Sequence, residues 1–103
     1  MNVIHVDETN FEQEVLQSNL QVLVDIWAPW CGPCKMLGPV VEEVAMESDQ
    51  IKVAKLDADK APELAQKYKV ASIPTLLVFK DGKEVNRSVG LISKEAILDL
   101  MKG

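Results

Sequence analysis

Only two cysteines and one histidine occur in 103 residues, too few for a disulfide-stapled secreted scaffold or for a four-ligand zinc site. Positive charge is also short. Eleven Lys and Arg face sixteen Asp and Glu, a net charge of -5, which removes the clustered basic surface that nucleic acid or an acidic membrane requires. No apolar run approaches the roughly 20 residues of a membrane span. The first residues, Met1-Asn2-Val3-Ile4-His5, show neither the basic region nor the long apolar region of a secretion signal. These absences set the expectation of a cytoplasmic chain with no nucleic-acid or membrane partner. Linkers, repeats and low-complexity stretches are missing too, so residues 1–103 read as a single domain and, by default, a monomer. That length buries a core without a structural disulfide.

What the chain does have is both cysteines in one place, Trp30-Cys31-Gly32-Pro33-Cys34-Lys35, where a strand-like apolar run gives way to a helical pattern. Two thiols at this spacing can close a small disulfide ring. A thiol at the first turn of a helix is favoured as thiolate by free N–H groups and the helix dipole. Pro33 suits an early helical position, where its missing N–H costs nothing, and Gly32 leaves room for another chain. Zinc sites and haem attachment sites share the C-x-x-C spacing. Lys35 in place of histidine excludes the haem signature, and Cys31, Cys34 and His5 are too few for a metal site.

Taken in order, Val3 to Val6 is a short strand, and Thr9 with Glu12 makes a capping-box pattern for a helix carrying Phe11, Val15 and Leu16. His5 reads as a half-exposed strand residue with no role. Gln21 to Trp27 has the pattern of a strand covered on both faces. Asp25 is the exception in it: a carboxylate buried there would have a raised pKa and serve as a general acid or base. From Cys34 onward, Leu37, Val40, Val41, Val44 and Ala45 recur at helical spacing, with Pro39 inside the helix as a kink. Met36 reads as core or rim packing.

Ile51 to Leu56 is a third strand, in which Lys55 taken alone would be an ordinary solvated lysine. Asp59 to Lys69 forms a short helix with Pro62 near its start and Leu64, Ala65 and Tyr68 inward. Pro74 precedes the apolar run Leu76 to Phe79 and so sits at a strand start or edge. Lys80-Asp81-Gly82-Lys83 predicts a hairpin between Thr75–Phe79 and Glu84–Val89. Ser93 caps a last helix that turns Ile97, Leu98 and Met101 inward. The order β-α-β-α-β-α-β-β-α implies early parallel pairing and a final antiparallel hairpin.

The run WAPWCGPCK at Trp27 to Lys35, with Asp25, Lys55, Ile73-Pro74-Thr75 and Val89-Gly90 in matching order, resembles the thioredoxin family along the whole chain. The resemblance implies an α/β thioredoxin fold, a central mixed five-stranded sheet with four helices on both faces. It implies a protein disulfide reductase with no bound cofactor, in which Cys31 attacks and Cys34 resolves. Asp25 and Lys55 would then tune proton transfer, the Ile73-Pro74 bond would be cis, and Trp27 would hold the loop. Trp30, Gly32, Pro33, Ile73, Pro74, Val89 and Gly90 would form the apolar patch that meets substrate. The implied partners are disulfide-containing proteins and a thioredoxin reductase, flavin-dependent and NADPH-linked or ferredoxin-linked.

Ile26, Ala58 and Leu91 depart from the commonest family pattern, which bears on partner preference. Two alternatives remain beside this reading. One is an oxidant or isomerase on the same fold, although Gly32-Pro33 is the reducing type's dipeptide. The other is a nonenzymatic, redox-switched binding module using the Trp30 and Ile73-Pro74 surface.

Overall fold

The structure, a computed structural model, describes residues 3–102. Among them five strands form one sheet: β1 Val3–Val6, β2 Gln21–Trp27, β3 Ile51–Asp57, β4 Thr75–Lys80 and β5 Lys83–Val89, in the order β1-β3-β2-β4-β5. β3 pairs parallel with both β1 and β2, whereas β4 runs antiparallel to β2 and to β5. The parallel pairs require crossovers, which the intervening helices supply. Asp81-Gly82 closes the β4–β5 hairpin with φ of +52° and +80°, the two positive values that a tight Asp-Gly turn demands.

Strand residues alternate between two cores. Val22, Val24, Ile26, Ala54, Leu56, Leu77 and Phe79 face one way, against Phe11, Val15, Leu64 and Tyr68. The helices on that face are a π-helical segment, Glu12–Leu16, and α2, Pro62–Lys67. Leu23, Val53, Leu76 and Val78 face the other way, against Leu37, Val41, Val44, Ile97 and Met101 of α1, Gly32–Glu47, and α3, Lys94–Lys102. The sheet is therefore covered on both sides, and its middle strand β2 is buried from Val22 to Ile26.

Local signals hold in part. Ser93 caps α3, its Oγ accepting from Ala96 N–H at 3.1 Å. Pro39 lies inside α1 without ending it. The capping box, by contrast, is not built on Thr9 and Glu12. Asp7 Oδ1 accepts from Thr9 N–H, and Asn10 Oδ1 accepts from Asp7 N–H, each at 2.8 Å. The Thr9 hydroxyl itself donates to Asp7 Oδ1 at 2.5 Å, so the side-chain cap lies at Asp7, two residues earlier. The helix it opens widens into i→i+5 bonding, Gln17 N–H to Glu12 O. α2 is shorter than the expected Asp59–Lys69. Asp57 holds a turn through Asp59 N–H before it, and Lys69, at φ +57°, ends it.

Candidate functional site

β2 delivers the site. Its last residue, Trp27, leads into a turn closed by Cys31 N–H to Ala28 O at 3.1 Å, and α1 starts at once. Helix geometry begins at Gly32, two residues before Cys34, so Cys31 is the N-cap and its Sγ accepts from Cys34 N–H at 3.2 Å. The first turn of α1 carries no acidic residue. Helix dipole, capping N–H and local charge therefore all favour negative charge on Cys31 sulfur. The two cysteines are joined as a disulfide, and both are nearly covered, at 5% and 3% exposure. What separates them is thus not bulk exposure but the N-cap hydrogen bond, which only Cys31 receives.

The expected contact residues gather around this sulfur from three elements. Cys31 Sγ lies 3.9 Å from the carbonyl oxygen of Ile73, and the Ile73-Pro74 bond is cis. Gly90 N–H donates to Pro74 O at 2.8 Å, which draws the end of β5 beside the start of β4; its φ of +98° is one that glycine tolerates. Trp30, Gly32 and Pro33 are exposed on the α1 side, and Val89 is exposed across from them. Trp30 and Ile73 also border an open groove of about 420 Å³ floored by Ala58, Ala65, Val70 and Ala71. Trp30 is 69% exposed, yet it is held: its Nε1 donates to Asp59 Oδ2 at 2.9 Å.

Beneath α1 lies the charged pair. Asp25 is fully buried, and in register beside it on β3 stands Lys55, whose Nζ is 3.7 Å from Asp25 Oδ2. Neither Asp25 oxygen has a hydrogen-bond partner. Burial lifts the Asp25 carboxyl from its ordinary 3.8 to about 6, and the Lys55 charge opposes that rise. Lys55 also stands 5.5 Å over the Trp27 ring, and Trp27 O accepts from Ala58 N–H at 2.8 Å, which fits its expected loop-holding place. A Cβ added at Gly38 would sit 3.4 Å from Lys55 Nζ. Since Cys34 and Gly38 are one helical turn apart on a shared face, that face of α1 lies over the pair.

Sequence reasoning missed Asp59, Gly38 and the Ala58 groove. Gly38 had a signal, because a glycine in mid-helix costs about 1 kcal/mol and so implies a close approach. Asp59 had none, being 29 residues from Trp30. Met36 is exposed and belongs to no core cluster, so it is a rim residue. Among the described residues no three His, Cys, Asp or Glu converge as a metal centre requires, and no helix is long and apolar enough to cross a membrane.

Comparison with known proteins gives the same picture. The family model described as Thioredoxin matches residues 2–103. Thioredoxin 1 of Synechococcus elongatus is 50% identical over 97 residues, 93% of this chain and 91% of that protein. The thioredoxin of Mycobacterium bovis is 54% identical over 96 residues, covering 92% and 83%. Among solved structures, a mutant thioredoxin from Halobacterium salinarum NRC-1 superposes with a TM-score of 0.90 at 40% identity, covering 98% of this chain and 88% of that one.

Proposed function

The chain belongs to the thioredoxin family of thiol-disulfide oxidoreductases, and on that footing we propose that it reduces protein disulfides with Cys31 attacking and Cys34 resolving. The observation that carries the assignment of roles is the N-cap: Cys31 sulfur receives the Cys34 N–H at the start of α1, beside the Ile73 carbonyl. Cys31 thiolate attacks one sulfur of the substrate disulfide and displaces the other as a thiolate. Cys34 then attacks Cys31 sulfur, which frees the second substrate thiol and leaves the Cys31–Cys34 disulfide. Two electrons pass to the substrate, and no bound cofactor takes part.

For the second attack Cys34 must lose a proton. Asp25, with its carboxyl raised to about 6, is suited to accept it through water, while Lys55 holds the resulting charge in check. The substrate segment would cross Trp30, Gly32, Pro33, Ile73, Pro74, Val89 and Gly90, and Gly90 allows close backbone approach. A thioredoxin reductase would regenerate the dithiol. We place this cycle in the cytoplasm, where thiols are kept reduced, with the protein acting as a monomer.

Two measurements test the proposal together. A redox titration read by Trp27 and Trp30 fluorescence should give a two-electron midpoint within the cytosolic range, about -220 to -320 mV. Cys34→Ser should trap a mixed disulfide with substrate, and Cys31→Ser should not. A midpoint near the about -120 mV of a strong oxidant reverses the direction of the reaction. Trapping by Cys31→Ser instead would exchange the two roles.

A further inference from the structure

On the α1 side of the sheet, one cross-strand row is Val3, Val53, Leu23 and Val78, wholly apolar; the next is His5, Lys55, Asp25 and Leu76. Strands in register lie about 4.7–4.9 Å apart, so the three titratable side chains of that row are successive neighbours on one face. Exposure rises along it, from buried Asp25 through Lys55 at 15% to exposed His5 at the sheet's edge. The edge strand is fixed by Asn10 Nδ2 donating to His5 O at 3.1 Å.

Beside the row is a cavity of about 370 Å³ whose walls include His5, Trp27, Lys55, Asp57 and Lys60. One water needs only about 10–15 Å³, so this space admits several. Trp27 Nε1 is buried with no protein partner, as are both Asp25 oxygens. Asp25 does not itself line the cavity; Lys55 does, and its Nζ lies 3.7 Å from Asp25 Oδ2, so the lysine links the cavity to the carboxyl. The charged groups around the imidazole are Lys55 and Asp57 of β3, Lys60 beyond it, Asp7 beyond β1, and Asp25 behind Lys55.

We propose that His5 is the solvent end of a proton path to Asp25, joined to it across the row by cavity water and the Lys55 ammonium. The inference rests on Asp25 serving as the base for Cys34. Only a proton moves. The Cys34 thiol gives its proton to the Asp25 carboxylate; the Lys55 ammonium releases one of its own protons through water to an imidazole nitrogen and is refilled from the Asp25 carboxyl, and the imidazole passes a proton to buffer. Imidazole is suited to that last exchange because one ring nitrogen can accept a proton while the other donates one. His5 touches no reacting atom and acts only through Asp25.

The test is release of the peptide thiol from a preformed mixed disulfide at Cys31, the step that attack by Cys34 carries out, followed across roughly pH 5 to 9. Acid–base help given directly at a reacting atom is worth about 10²–10⁴-fold; one step removed, His5→Ala is expected to slow the reaction about tenfold near pH 7. Added imidazole should restore the rate in His5→Ala and leave Asp25→Asn slow. His5→Gln, which fills the same space without exchanging protons, should behave as His5→Ala does. A His5→Ala rate equal to wild type throughout, or a loss that imidazole does not repair, overturns the path. If Asp25→Asn keeps the wild-type rate, the role of Asp25 falls and the path falls with it; slow Asp25→Asn beside normal His5→Ala removes the path alone.

Discussion

Replacing Asp25 by Asn removes the charge without changing shape, and its effect on stability must depend on pH. The folded carboxyl titrates near 6 and the unfolded one near 3.8, because burial disfavours the ionised form more than Lys55 favours it. Below the unfolded value Asp25 is neutral in both states, and wild type and variant should be about equally stable. Between roughly pH 4 and 6 the folded protein binds the extra proton, so wild-type stability falls as pH rises, whereas the variant has no such loss. At about 1.36 kcal/mol per pH unit, the gap should level off near 3 kcal/mol above pH 7. Urea unfolding of the two oxidised proteins at a series of pH values measures it. With a denaturant slope of about 1–3 kcal/mol/M, the midpoints should separate by about 1–3 M at pH 8 and converge near pH 4. A difference that stays constant from pH 4 to 8 would mean that Asp25 is not desolvated in solution, and its assignment as a base tuned by burial would go with it.

Two further perturbations address its surroundings. Gly38→Ala should gain up to about 1 kcal/mol from helix propensity, because its Cβ would meet Lys55 Nζ at 3.4 Å, an ordinary contact with the end of a flexible side chain; a urea midpoint lowered by the substitution would mean that Lys55 cannot give way. Asp59→Ala frees the Trp30 indole, and the loss of a hydrogen bond worth about 1 kcal/mol should raise KM for protein substrates about fivefold, read by steady-state kinetics. An unchanged KM would mean that Trp30 is placed without Asp59.

The element order was legible because each signal was local: alternation or continuous burial for strands, a helical stripe behind Cys34, an Asp-Gly turn, a Ser93 cap. The first cap was not. Asp7, Thr9 and Asn10 are all capping residues within four positions, and only the backbone path decides which oxygen reaches which N–H. The π-helical turn was hidden for a related reason, since i→i+5 bonding leaves no periodic trace over five residues. At the site, the cysteines declared themselves by spacing and Asp25 by its incongruity in an apolar strand. His5 could not, because its significance lies in register: only the pairing of β1 with β3 and of β3 with β2 puts it in line with Lys55 and Asp25. Asp59 and the Ala58 groove likewise depend on how the loop after β3 meets the loop before α1.

The polar row also explains why the fold tolerates a destabilising feature at its centre. A charge at Asp25 costs about 3 kcal/mol at neutral pH, against the 5–15 kcal/mol typical of a whole domain. Gly38 adds about 1 kcal/mol of lost helix propensity where α1 passes over Lys55. An apolar residue in place of Asp25 would pack the sheet as the neighbouring row of Val3, Val53, Leu23 and Val78 does. Both costs fall at the N-terminal half of α1, which carries Cys34, and in the strand beneath it, and the remainder of the two cores is aliphatic and aromatic. Under the proposed mechanism, a concession at that place serves the proton balance of the thiols. It does nothing for stability, which rests on the apolar rows to either side.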